Sequence, residues 1–421
     1  MSNALAAPTV DEIAPNAPDE PASRFELRHI DRPHPDIELG VQRASLDYLV
    51  CAPDRGIDRD TGLVLFFVGY GMEPCGRYVH SLLSYLANKH NCIAASVDYF
   101  GAALWDSPKC RWVPHPDFFV HLKKFHGIEI NAPKGFDVKQ LRAQLSIGLR
   151  QRGIARLDPA CAFLLISPEY HSMGFLPALD GIHVAHRLID ASALNKRRLF
   201  AFGTSYGGYI ASMMAKLAPR TFRMVVDNSG FSSAEDDIWN VYGMSKWYSR
   251  HGVAMNTYMT AAFSQDENAP NFFSPAHRAI RSLLNREHVH ESATRLYGYH
   301  SISDTIAPTA AKLGLRTVYA GKVPYELEIV DAAKIDGRIF KDLSHGLHAS
   351  MRGLFDRSYD KFQRDGGALA ADTDFDREAR YVFRCGAEDY LIRFSRDSGV
   401  RAERRGATLM SLGNPTEEQY A

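Results

Sequence analysis

The chain carries no net charge, with 49 Lys and Arg set against 49 Asp and Glu among 421 residues. That balance removes the electrostatic basis for a nucleic-acid or acidic-membrane partner. Cysteine is scarce, and the six present (Cys51, Cys75, Cys92, Cys110, Cys161, Cys385) stand far apart with no Cys-x-x-Cys pair. A zinc ribbon, a dithiol redox motif and a disulfide framework are all disfavoured. Met1 to Ser23 lacks Lys, Arg and any continuous apolar core, so this segment is expected to be neither signal nor transit peptide. No uncharged apolar run approaches the roughly 18 to 20 residues of a membrane-spanning helix. These absences point to a cytoplasmic protein, and no internal repeat is visible. What remains, 45% hydrophobic and 23% charged residues, is the composition of an ordinary globular chain with a large core.

Residues 1–25 are too polar to offset their ordering entropy and read as a flexible arm. Beyond it, short apolar runs recur, each followed by a Gly/Ser turn and a helical pattern, which predicts βα units and a mostly parallel sheet. Leu63–Val68, Ile93–Val97, Leu199–Phe202 and Met224–Val226 suit strands buried on both faces. Phe163–Ile166, Arg295–Tyr299 and Arg338–Phe340 are weaker candidates. Two stretches, at about 99–159 and 229–292, break the rhythm and read as insertions over the strand ends, where a pocket's lid and walls are expected. Their aromatics include Trp105, Trp112, Trp239, Tyr242, Trp247, Tyr248, Tyr258, Phe272 and Phe273. Ordinary packing explains such residues as well as stacking on a sugar or acyl chain does. A domain over 26–365 is then followed by an extension, 366–421, in which Tyr381–Arg384 and Tyr390–Phe394 form a hairpin turning near Gly386.

The most informative residues are Gly203-Thr204-Ser205-Tyr206-Gly207-Gly208, lying between the strand Leu199–Phe202 and the helical run Tyr209–Leu217. Gly-x-Ser-x-Gly in that setting is the nucleophile elbow, a tight turn that lifts the serine hydroxyl above the sheet. The Tyr206 N–H, at a helix N-terminus, can face an oxyanion. A serine hydroxyl needs a base and an orienting carboxylate, in the chain order Ser, acid, His. Asp304, in the turn Ser301–Pro308, is the favoured acid, with Asp227 at the end of the strand after the elbow as its competitor. His345 is the favoured base and His348 the alternative. A zinc pair made of these two histidines lacks further ligands. The second oxyanion donor is expected on Gly69-Tyr70-Gly71, at the Tyr70 N–H. The same Gly-x-Gly lacks the third glycine of a dinucleotide site, so no cofactor or metal is expected. Glu169-Tyr170-His171 follows a predicted strand and could reach the pocket, but a polar helix-capping loop explains it equally well.

With these residues in place, the chain resembles a bacterial α/β-hydrolase-like family of unknown function, whose members are often encoded among flagellin-glycosylation and capsule genes. The resemblance is carried by His34-Pro35-Asp36-Ile37-Glu38-Leu39-Gly40, Phe66 to Gly71, Glu169-Tyr170 with Ala178-Leu179-Asp180, and the elbow through Asp227-Asn228-Ser229. Ile280 to Asn285 and His345-Gly346 with Ala349-Ser350 complete it. It implies an α/β-hydrolase fold and a Ser205, Asp304, His345 triad, over about 320 residues.

The expected activity is acyl transfer by a serine nucleophile, as an esterase, deacylase or acyltransferase on a small-molecule or glycan acyl substrate. The family's gene neighbourhoods favour an acylated surface sugar. Two alternatives stand beside it. One is a peptidase related to prolyl oligopeptidases, which share Gly-x-Ser-Tyr-Gly-Gly-Tyr but place a propeller domain before the hydrolase part. The other is a non-catalytic glycan-binding or chaperone-like module on a hydrolase scaffold.

Overall fold

A computed structural model describes residues 24–102, 110–130, 138–248, 251–259, 263–367 and 370–406. Most of the predicted flexible arm, residues 1–23, lies outside the described residues. Strand β1 (Phe25–Asp31) opens the fold and pairs antiparallel with β2 (Ser45–Cys51). Next come β3 (Gly62–Phe67) and β4 (Cys92–Val97), whose residues are all buried. Strands β5 (Arg111–Pro114) and β6 (Phe163–Ile166) leave this layer, and β7 (Leu199–Thr204) and β8 (Met224–Asn228) return to it. After β9 (Met244–Tyr248) and β10 (Ala254–Met259), the chain adds β11 (Arg295–Ser301) and β12 (Tyr325–Val330).

The main sheet has the order β1-β2-β4-β3-β7-β8-β11-β12. From β4 to β12 every pairing is parallel. Continuous apolar runs such as Leu63–Phe67 follow from this, because helices cover both faces of the parallel strands. The two-strand antiparallel start, the parallel remainder and an elbow after β7 make this an α/β-hydrolase fold. Among the described residues no helix is long and apolar enough to cross a membrane.

Three expectations change. Arg338–Phe340 is not a strand but a loop wrapped around the Asp336 carboxylate, which accepts the N–H groups of Arg338, Ile339 and Phe340 at 2.8 to 3.0 Å. The last strand of the sheet is β12 instead. Phe163–Ile166 is a strand, but it joins strands from both inserted stretches in a second sheet, β5-β6-β10-β9, with its own apolar cluster around Phe118, Leu145, Phe163 and Met255. The C-terminal hairpin, β13 (Arg380–Cys385) and β14 (Glu388–Ser395), gains a third strand, β15 (Gly399–Arg405).

Buried ion pairs tie these layers together. The Arg281 guanidinium forks onto Glu38, with Nη1 2.8 Å from Oε1, and the Tyr390 hydroxyl donates to the same oxygen at 2.7 Å. One carboxylate thus joins the loop between β1 and β2, the helix Pro275–Arg281 and the C-terminal sheet. Asp180 accepts hydrogen bonds from His34 (2.7 Å), Arg43 (3.0 Å) and the Phe100 N–H (2.7 Å). Burial alone would raise its pKa, but Arg43 and His34 outweigh that and hold it well below the usual carboxylate range.

Candidate active site

Strand β7 delivers Ser205 into a turn that only its sequence permits. Ser205 sits at φ 54° and ψ −125°, a conformation costing about 1 to 3 kcal/mol for a non-glycine residue. Its N–H donates to the Asn228 carbonyl at 2.7 Å, anchoring the turn on β8. A Cβ at Gly203 would stand 2.3 Å from the Gly207 carbonyl, and one at Gly207 would stand 2.0 Å from the Phe67 carbonyl oxygen. Neither distance leaves room for a side chain, so these two glycines make the strand-to-helix crossing possible.

The structure brings Ser205, His345 and Asp304 into one hydrogen-bonded line. Ser205 Oγ lies 2.7 Å from His345 Nε2, and His345 Nδ1 lies 2.9 and 3.1 Å from the two oxygens of Asp304. An ionised Asp304 places the ring proton on Nδ1 and leaves the Nε2 lone pair facing the hydroxyl. Asp304 Oδ1 also accepts the N–H groups of Ile306 and Ala307, both at 2.9 Å. Burial pushes the Asp304 pKa up, yet His345, the Ala307 N–H and His300 more than offset it and hold the group ionised below its ordinary value. The acid side chain is sealed from solvent while the histidine stays 14% exposed, so the line opens toward solvent at its reactive end.

The alternatives lie elsewhere. Asp227 is buried and committed to the Lys312 ammonium and the Gly230 N–H. His348 turns outward to pair with Asp342, so the two histidines do not share a ligand. Tyr206 opens the helix Tyr206–Leu217 directly after Ser205. The Tyr70 loop lies against the elbow, since a Cβ on Gly69 would be 3.3 Å from the Thr204 carbonyl oxygen and 3.4 Å from Ser205 Cβ. The Tyr70 loop and the start of the Tyr206 helix therefore both adjoin the elbow. Of the aromatics in the two inserted stretches, Trp112 and Phe273 are packed in the interior and Trp239 is 60% exposed. Trp105 and the side chains of Trp247 and Tyr248 lie outside the described residues.

Residues 27–398 match a single family pattern. The chain belongs to the DUF2920 family, proteins of unknown function. No curated protein matches this DUF2920 member. Among solved structures, the Pyrococcus horikoshii acylaminoacyl peptidase is 17% identical, with TM-score 0.42, over 84% of this chain and 44% of that one. Oligopeptidase B from Leishmania major is 11% identical, with TM-score 0.45, over 83% and 38%. A thermostable esterase is 14% identical, with TM-score 0.39, over 82% and 64%. The chain spans less than half the length of these two peptidases.

Several residues that brace the DUF2920 site stand outside the Ser, acid, His pattern. Asn228 Nδ2 donates to Thr204 Oγ1 (3.1 Å) and to the Gly346 carbonyl (2.9 Å), joining the elbow to the loop that bears His345. Ser301 Oγ donates to the Leu343 carbonyl at 2.6 Å, joining the acid turn to the same loop. Phe231 stacks on the His345 ring at 6.4 Å. Glu169-Tyr170-His171 divides its work. Glu169 accepts the Gly101 N–H at 2.7 Å, and burial against the pull of Arg43 leaves its pKa at about 7. Tyr170 donates to Asp36 at 3.2 Å, and His171 packs beside Tyr70 and Tyr206.

Proposed function

We propose that this protein is a serine-nucleophile acyl-transfer enzyme, a carboxylesterase or deacylase or an acyltransferase, acting on acyl groups of glycan sugars. Ser205 Oγ attacks the acyl carbonyl while its proton passes to His345 Nε2, and Asp304 balances the imidazolium. The N–H groups of Tyr70 and Tyr206 hold the oxyanion. His345 then returns the proton to the leaving oxygen; in the second half water or a sugar hydroxyl attacks the acyl-enzyme while losing its proton to His345, which passes that proton to Ser205 Oγ as the acyl bond to it breaks. The observation that carries this reading is the unbroken Asp304–His345–Ser205 line at 2.9 and 2.7 Å on a strained turn. Its glycan part rests on the genes that family members neighbour.

A substrate panel tests the proposal: p-nitrophenyl acetate, O-acetylated sugars and Xaa-Pro peptides, with wild type, Ser205→Ala and His345→Ala. Turnover of the esters by wild type, with kcat lower by about 10⁴ or more in both variants, is the expected outcome. Cleavage of the peptides alone would replace the reading with a peptidase, and no turnover of any class would favour a binding module.

A further inference from the structure

The two expected oxyanion donors come from loops far apart in sequence that follow the paired strands β3 and β7. Their side chains meet as well. The Tyr70 and Tyr206 rings pack edge to face with centroids 5.9 Å apart, and His171 completes the triangle at 4.9 Å from Tyr70 and 4.8 Å from Tyr206. We propose that His171 is a positioning residue that sets the width of the oxyanion hole by holding these two tyrosines in register. This rests on the acyl-transfer reading above.

The loop that carries His171 is built as a rigid support. On one side the Tyr170 hydroxyl donates to Asp36, and on the other Arg281 Nε donates to the Ser172 carbonyl at 2.8 Å, with both partners buried. Two residues further on, the Gly174 N–H donates to the Tyr206 hydroxyl at 2.7 Å. One short loop thus grips Tyr206 at its hydroxyl and packs a third ring against both Tyr206 and Tyr70. The position uses the shape of the ring: His171 is 2% exposed, and its Nε2 has no hydrogen-bond partner among the described residues. Burial keeps the imidazole neutral, with a pKa of about 3, so it adds no charge to the site. Edge-to-face packing of this kind supplies a defined separation as well as contact area. An oxyanion hole depends on that separation because its donors must lie about 2.7 to 3.1 Å from the developing anion.

The test compares His171→Ala and His171→Phe with wild type in the full chain, using p-nitrophenyl acetate kinetics, pH profiles and thermal melts. His171→Ala should lower kcat about 10- to 100-fold, a part of the loss of one whole donor, with KM within about twofold. His171→Phe restores a ring and should recover kcat to within about threefold, at equal or higher Tm. The shape of the pH profile should be the same in all three proteins. Unchanged kcat in His171→Ala, a rise in KM alone, an altered pH profile, or a His171→Phe as slow as the alanine variant would each overturn the assignment. A wild type that neither turns over esters nor reacts with a fluorophosphonate would instead refute the acyl-transfer reading itself.

Discussion

Replacing Asp304 by Asn changes almost no atoms in the site and should nearly silence it. Two backbone N–H groups, of Ile306 and Ala307, point at Oδ1 from 2.9 Å each, while Oδ2 faces His345 Nδ1 at 2.9 Å. An asparagine there keeps its carbonyl where the two donors are, which turns its NH2 toward the imidazole. The amide then donates to Nδ1, the ring proton moves to Nε2, and Nε2 can no longer accept from Ser205. Such a tautomer reversal in chymotrypsin-type proteases costs about 10⁴ in kcat, or about 5 kcal/mol at about 1.4 kcal/mol per decade. Stability should fall far less, by about 2 kcal/mol, because one charge-assisted hydrogen bond is weakened and the two backbone bonds survive. Steady-state kcat on p-nitrophenyl acetate and a melt on the same sample measure the two effects. Asp304→Asn with kcat within tenfold of wild type would refute the argument that this carboxylate sets the tautomer.

Gly207→Ala must place a Cβ 2.0 Å from the Phe67 carbonyl oxygen, so the elbow should open, with a lower Tm and loss of ester turnover; a variant indistinguishable from wild type would contradict the packing argument. Arg281→Met strands the Glu38 carboxylate in a fully buried site and should cost about 3 to 5 kcal/mol in denaturant titrations, part of it recovered by adding Glu38→Gln. An additive double variant would show that the pair is not coupled. Asp180 has a folded pKa below its ordinary value, so its stabilisation is complete above the ordinary carboxylate range and fades as pH falls through the lower, folded value. Asp180→Asn should therefore melt lower at pH 7 and lose less Tm than wild type between pH 7 and 3, whereas parallel Tm curves would contradict that linkage.

The parts of the fold legible in the sequence are those held by local rules. Leu199–Thr204 shows because its buried apolar run ends in glycines that the crossing to the next helix requires. Strand Tyr325–Val330 does not, since it is the sheet's edge and its glutamates alternate with apolar residues on half-buried faces. The loop at Arg338–Phe340 is shaped by one aspartate side chain, which leaves no hydrophobic period to read. The second sheet is joined by the pairing of β6 with β10, whose partnered residues lie 94 positions apart, and pairing at that range has no signature within either segment. The same holds for the site. Ser205, His345 and Asp304 could be picked out by turn chemistry and chain order, whereas Asn228, Ser301 and His171 act through contacts that exist only once the loops are brought together. The family blocks around His34, Glu38, Asp180 and Arg281 give no hint in sequence that they pair with one another.

The proposed chemistry begins with Ser205 as a nucleophile activated by His345. Brief exposure of the full chain to a fluorophosphonate, followed by intact-protein and peptide mass spectrometry, probes that step. One adduct per chain is expected, on the peptide containing Ser205, absent in Ser205→Ala and formed far more slowly in His345→Ala. No adduct on the wild-type chain, an adduct on a different residue, or labelling indifferent to His345 would contradict it.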